Sequence, residues 1–243
     1  MVVTPALPGV FGFSFPGIPG VTCLFTARDA GNVSLLRANL GNEDLAATHE
    51  ARKRLFDVMG VETWTELKQV HGDRFLCNPD PTNRDAESSL EADGHATDET
   101  RHALMIKTAD CQPVLLAHPD GFVGALHVGW RGNVLRFIVS GVKAFCDSYG
   151  LSPADVRAVR GPSLGLAEFV NFEKEWPPAF APWYDATTRR MDLWSLTRAQ
   201  LREAGLLENH IFGLDFCTYT QNDCFFSHRR GDTGRQAAFI WKR

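Results

Sequence analysis

Short apolar runs bounded by Gly, Pro, Asn or Asp recur along the chain, at residues 21–26, 64–70, 103–108, 114–117, 122–128, 156–159, 211–217 and 237–241. Their length and their β-branched and aromatic content predict strands. Three stretches repeat instead at helical spacing. After Gly41-Asn42, the residues Leu45, Leu55, Phe56 and Met59 share one side of a helical wheel, Glu43 and Asp44 suit a first turn, and Gly60 supplies the stop. Val134/Leu135, Ile138, Val142, Phe145 and Tyr149 form a second stripe, with Asn133 as the expected cap and Gly150 as the stop. The third stretch runs over about 192–205, with Leu193, Leu196, Leu201 and Ala204 inward. Strands alternating with a few helices predict an α/β fold.

Composition narrows this picture. A chain of 243 residues with 44% hydrophobic and 22% charged residues has ample core for a soluble globular protein. It carries no Ser-rich linker, charge block or internal repeat, so one domain over 1–243 is expected. No apolar run reaches the length of a membrane span. Residues 1–20 are apolar but broken by Pro5, Pro8, Gly9, Gly12, Pro16, Gly17, Pro19 and Gly20. That is not the pattern of a signal peptide, so a cytoplasmic location is expected. Cys23, Cys77, Cys111, Cys146, Cys217 and Cys224 are then expected as reduced thiols. A net charge of −4 argues against non-specific duplex binding. The one basic concentration is His228, Arg229, Arg230, Arg235, Lys242 and Arg243, a solvated face or in part the lining of an anion pocket. Nothing in the pattern calls for a membrane or an obligate protein partner.

The chemistry concentrates where strand-like runs end. Lys68-Gln69-Val70-His71-Gly72, Thr108-Ala109-Asp110-Cys111-Gln112-Pro113 and Leu126-His127-Val128-Gly129-Trp130-Arg131-Gly132 each carry one metal-ligand side chain. Cys plus two His is the ligand count of a catalytic zinc site with an open fourth position. The long intervals leave a plainer reading, in which Cys111 is a buried strand residue and His71 and His127 are loop residues. A Cys–His hydrolase, with Cys111 as nucleophile and His127 as base, is a further alternative in which His71 is superfluous. The Gly129-Trp130-Arg131-Gly132 turn leads from a strand to a helix start, where free N–H groups suit an anion; its plain alternative is a packed Trp130 and a solvated Arg131.

The order of the motifs resembles a known family. Lys-Gln-Val-His-Gly at 68–72, Ala-Asp-Cys-x-Pro at 109–113, His-x-Gly-Trp-Arg-Gly at 127–132, Gly-Pro at 161–162, Cys-Thr at 217–218, Phe-Phe-Ser-x-Arg-Arg at 225–230 and Gly-Arg at 234–235 look like the purine nucleoside phosphorylase family formerly labelled multicopper polyphenol oxidase or laccase-domain proteins. The resemblance spans nearly the whole chain. It implies zinc held by His71, Cys111 and His127, and a layered α/β sandwich of mixed sheets similar to the cysteine-hydrolase-like toxin fold. It also implies phosphorolysis of adenosine, inosine, guanosine and S-methyl-5′-thioadenosine, with deamination of adenosine as a side activity.

Departures from the family pattern are Val128, Ser163 and the segment 28–34, none of which touches the implied ligands. They leave substrate preference open, above all around 163–185. Polyphenol oxidation is the other chemistry the old label suggests, with copper in the same site. A four-copper oxidase needs many imidazoles, commonly as His-x-His, and the chain has eight His and no such pair. Copper nonetheless outranks zinc for an N/S site, so copper uptake in vitro is expected. The carboxylates nearest the motifs are Asp93 and Asp110. Asp93 is the expected acid/base, although a ribose contact, support for a ligand His or a plain turn before Gly94 are alternatives, and Asp110 should face away from Cys111. For phosphate, Arg28 is the expected contact because its segment leaves a strand into a Gly-bearing loop, with Arg229 as the second candidate.

Overall fold

The structure, a computed structural model, describes residues 2–3, 7–36 and 42–243, the side chains of 2, 3, 42 and 43 excepted. Met1, Pro5 and Gly41 therefore lie outside the described residues. Two six-stranded sheets lie face to face with helices on both outer faces, the layered α/β sandwich of mixed sheets that was expected. In the first, the order is β1 (Val2–Val3), β2 (Val10–Phe13), β3 (Val21–Thr26), β15 (Gln236–Lys242), β7 (His102–Thr108) and β4 (Thr63–Glu66). All neighbours are antiparallel except β4 and β7. The second runs β14 (Ile211–Gly213), β10 (Arg157–Arg160), β8 (Gln112–Ala117), β9 (Val123–Val128), β6 (Gly94–Thr97) and β5 (Phe75–Cys77), parallel only at its two edges.

Strand alternation sorts the core into three layers. Leu104 and Ile106 of β7, Ala238 and Ile240 of β15, and Phe25 of β3 meet Leu115, Ala117, Ala125 and Val159 between the sheets. The alternate residues Ala103, Met105, Phe239 and Trp241 turn outward onto Leu55 and Met59 of α1 (Asn42–Met59). On the far side, Val114, Leu116, Leu126 and Val128 pack on Phe137, Ile138, Val142 and Phe145 of α3 (Phe137–Tyr149) and on Leu201 of α5 (Leu193–Glu203). Central strands are thus buried on both faces, which is why they read as continuous apolar runs. Asp192 caps α5 by accepting from Ser195 N at 3.0 Å.

The expected second helix is broken. A five-residue α2 (Trp130–Val134) precedes α3, and between them Arg136 is left-handed at φ 58. The wheel pattern runs across the break because both segments face the same core. Asn133 is not a cap but a buried tie: its Nδ2 donates to Gln200 Oε1 at 3.0 Å, and its Oδ1 accepts from Gln112 Nε2 at 3.3 Å. The segment around 163–185 that the sequence left open, with the residues up to the third helix, holds a small third sheet of β11 (Leu166–Glu168), β13 (Arg190–Asp192) and β12 (Tyr184–Asp185), with one helical turn, α4 (Phe172–Glu175). The Pro- and Trp-rich stretch folds over it as an aromatic cluster of Phe169, Trp176 and Phe180 joined by Trp130 and Trp183. No helix among the described residues is long and apolar enough to cross a membrane.

Candidate metal centre

His71, Cys111 and His127 arrive from three directions. The run expected over 64–70 leaves the sheet early, β4 ending at Glu66, so His71 sits on a loop with φ 62. Cys111 immediately precedes β8, after Asp110 at φ 88. His127 lies on β9 opposite Pro113 of β8, which places its side chain beside the Cys111 turn. Two non-glycine residues in the left-handed region flank the site, a conformation that persists only where surrounding contacts impose it.

Asp93 supplies those contacts for His71. Fully buried, its carboxylate accepts from the backbone N–H of His71 at 2.9 Å, of Gly72 at 2.7 Å and of Val70 at 3.2 Å. The same carboxylate takes His127 Nδ1–H at 2.7 Å. With Nδ1 committed, Nε2 of His127 is the nitrogen left to face the cluster. Asp110 turns the other way, as expected, and accepts from Thr218 Oγ1, Ser227 Oγ and Arg229 N at 2.8, 3.0 and 2.7 Å.

The result is a compact donor set. One ligand atom from each of the three residues lies within 4.8 Å of the others, and His71 Nε2 to Cys111 Sγ is 3.7 Å. Bond lengths of about 2.3 Å to sulfur and about 2.0 Å to nitrogen in tetrahedral geometry separate such atoms by roughly 3.5 Å, so one ion fits with little movement. Gly129 makes room: a Cβ there would stand 3.0 Å from both Cys111 Sγ and His71 Cδ2. Burial pushes the Cys111 thiol up, but the charge and hydrogen bond of His127, with those of His71, bring it down to about 6. His127, which burial alone would lower, is lifted to about 9 by Cys111 and Asp93. Asp93 stays below the usual carboxylate range, burial being outweighed by His127 and the two loop N–H groups. A thiolate is thus available for a soft metal near neutral pH.

His71, Cys111 and His127 open on a cavity of about 320 Å³, also lined by Lys68, Gln69, Lys107, His228, Arg235 and Glu87. Arg28 is absent from the described lining. It is occupied elsewhere, donating to Asp232 Oδ2 at 2.8 Å and the Phe225 carbonyl at 3.0 Å while stacking on Phe226. Arg229 stacks on Phe169, its guanidinium also bonds the Glu168 carbonyl, and it lines a neighbouring cleft with Trp194 and Cys217. Asp93 is behind the ligands rather than in the cavity. The helix start beyond Gly129 belongs to the five-residue α2, too short to carry much of a dipole. Sequence reasoning passed over Lys107, whose signal was a lone charge in the apolar run before the Cys111 motif, and did not single out Arg235 within the basic cluster.

Comparisons with known proteins place the chain in a family. Residues 22–243 match the family model described as multi-copper polyphenol oxidoreductase laccase. A purine nucleoside phosphorylase of Xylella fastidiosa (strain Temecula1) is 34% identical over 93% of this chain and 94% of its own. The purine nucleoside phosphorylase YfiH of Escherichia coli (strain K12) is 33% identical over 79% of each. Among solved structures, YlmD from Geobacillus stearothermophilus superposes with a TM-score of 0.85 at 27% identity, covering 99% of this chain and 98% of that one. With the model matched from β3 to the C-terminus and relatives of this similarity aligned over most of their length, the chain belongs to the multi-copper polyphenol oxidoreductase laccase family, whose curated relatives here carry the name purine nucleoside phosphorylase.

Proposed function

We propose that the chain is a zinc-dependent purine nucleoside phosphorylase acting on adenosine, inosine, guanosine and S-methyl-5′-thioadenosine, with adenosine deamination as a side activity. The observation that carries this is the His71, Cys111 and His127 set opening on a cavity of about 320 Å³, at the lower end of the range for small-molecule sites. A cation held there supplies positive charge and an open coordination position. The chain's own residues do the rest. Asp93 fixes both the His71 loop and the His127 ring, a positioning role that leaves its oxygens committed to donors. In phosphorolysis a phosphate oxygen bonds to C1′ of the ribose, the C1′–N bond breaks, and the departing purine takes the electron pair and a proton. Glu87, a carboxylate on the cavity lining, is our candidate for that proton in place of Asp93.

One arrangement supports a second reading. Cys111, His127 and Asp93 also have the order of a thiol, a base and a carboxylate orienting it, as in a Cys–His hydrolase. That reading gives His71, 3.7 Å from Cys111, no task. Four-copper polyphenol oxidation is less well supported, since His71, Cys111 and His127 form the one such ligand group among the described residues.

The deciding experiment is chromatography of a purine nucleoside panel incubated with metal-assayed protein, with and without phosphate. Adenosine plus phosphate should give adenine and ribose 1-phosphate, with inosine as a minor product, and a chelator should stop both. Covalent acylation of Cys111 by an ester or amide, insensitive to chelator and with no nucleoside consumed, overturns the reading in favour of the hydrolase.

A further inference from the structure

The metal cavity has a charge arrangement that the three ligands do not explain. Glu66, at the end of β4, is buried at 0% exposure and faces two cations. Arg52 of α1, also at 0%, donates to Glu66 Oε2 at 2.6 Å and, from Nη1 and Nε, to the Val33 and Arg84 carbonyls at 2.8 and 2.7 Å. On the other carboxylate oxygen sits Lys107 Nζ. One carboxylate between two cations leaves a net positive charge in the interior, and burying such a group is unfavourable unless something compensates it. Of the three, Lys107 alone reaches the cavity, its backbone pinned by Gln69, which bonds both its N–H and its carbonyl at 2.9 and 2.7 Å.

Arg235 enters the same cavity from the segment preceding β15. Its N–H donates to Asn32 Oδ1 at 2.8 Å, and one guanidinium nitrogen, Nη1, is fixed by the carbonyls of Asp232, Thr233 and Gly234. No carboxylate pairs with that guanidinium within 4 Å among the described residues, unlike Arg28 and Arg230, which share Asp232. A half-anchored fork and a carboxylate-held ammonium thus line one small space beside the metal ligands.

We infer that Lys107 and Arg235 form the seat for a tetrahedral oxyanion, inorganic phosphate or the phosphoryl group of a sugar 1-phosphate, next to His71, Cys111 and His127. This deepens the phosphorylase reading and rests on it for the source of the anion. The guanidinium offers paired N–H groups to two phosphoryl oxygens, the ammonium supplies a point charge, and Glu66 with Arg52 holds that ammonium at the cavity wall.

The test titrates inorganic phosphate, and separately ribose 1-phosphate, into zinc-loaded and metal-free protein by calorimetry, with zinc content assayed. Variants are Arg235→Met, Arg235→Lys and Lys107→Gln, each checked for its melting transition. Arg235→Met should weaken phosphate binding about tenfold or more, equivalent to about 1.4 kcal/mol, with zinc content unchanged. Arg235→Lys should recover part of it, and KM for phosphate should rise while KM for adenosine stays put. Unchanged phosphate affinity in folded Arg235→Met and Lys107→Gln overturns the seat, as does its loss in Arg28→Ala alone. Were phosphorolysis observed with KM for phosphate unmoved in these variants, the seat falls and the phosphorylase reading stands. Were phosphate bound and lost as described without any nucleoside turnover, the seat stands and that reading falls.

Discussion

At the residue scale, His71, Cys111 and His127 form a set of proton equilibria that a bound metal would displace. In the metal-free protein Cys111 ionises at about 6 and His127 holds its proton to about 9, so near pH 7 they form a thiolate and an imidazolium. A metal binds the deprotonated imidazole, so uptake at that pH should release about one proton, and affinity should fall as pH drops below 6 and Cys111 protonates. Zinc titrations in buffers of different ionisation enthalpy measure the release; none at pH 7 would contradict the assignment of His127 as a ligand. Cys111→Ala and His71→Ala should lose zinc and turnover together, and full zinc content with full turnover in Cys111→Ala would remove the site. Asp93 is outside the donor set but holds His127 Nδ1 and the His71 backbone N–H, so Asp93→Asn offers His127 an amide in place of a carboxylate and loosens the His71 loop. Zinc affinity in that variant should fall by about 10- to 100-fold, read by competition with a chromogenic chelator.

At the element scale, the site depends on where strands stop. Gly129 joins β9 to α2 at the point where Cys111 and His71 crowd together, so Gly129→Ala places a methyl 3.0 Å from both. Ligand positions matter to within about 0.2 Å, so zinc affinity should drop by about tenfold while the metal-free protein melts as before. Equal zinc affinity in Gly129→Ala would mean the loop can yield. These endings also set what could be read in the sequence. The central strands were legible because they are buried on both faces, and the meeting of His71, Cys111 and His127 was expected only because the motifs that carry them resemble those of a family. Residues 67–70 were read as strand since Leu67 and Val70 continue the apolar run, whereas Asp93, distant in sequence, draws that loop off the sheet. The break at Arg136 was invisible because a left-handed residue leaves the apolar stripe intact. Arg28 was expected in the cavity on the strength of its loop, and only the long-range partner Asp232 explains why it is turned away.

At the scale of the whole molecule, the two sheets enclose polar groups whose titration opposes the fold in acid. Gly94 and Ala96 of β6 face α3, which sends His95 into the space between the sheets, toward His102 of β7. His95 is buried at 0% exposure, and neither ring nitrogen has a hydrogen-bond partner among the described residues. Burial, with His102 adding a smaller repulsion, lowers its pKa from 6.5 to about 3. The unfolded chain therefore binds a proton between pH 6.5 and about 3 that the folded protein refuses. Stability attributable to His95 is complete above 6.5 and declines as pH falls through that window, by up to about 1.4 kcal/mol per pH unit. His102, lowered by burial as well, acts in the same direction and is softened by Glu99. An apolar residue of similar volume removes both the titration and the unpaired polar atoms, a change that is often neutral or stabilising. His95→Leu should thus match or exceed the parent in denaturant midpoint at pH 7.5, and its advantage should widen steadily as the pH is lowered from 6.5 towards 4, in protein stripped of metal so that the centre does not contribute. Parallel stability curves for parent and His95→Leu across that range would show that His95 takes up its proton without unfolding, and that the interior between the sheets is more accessible than its packing implies.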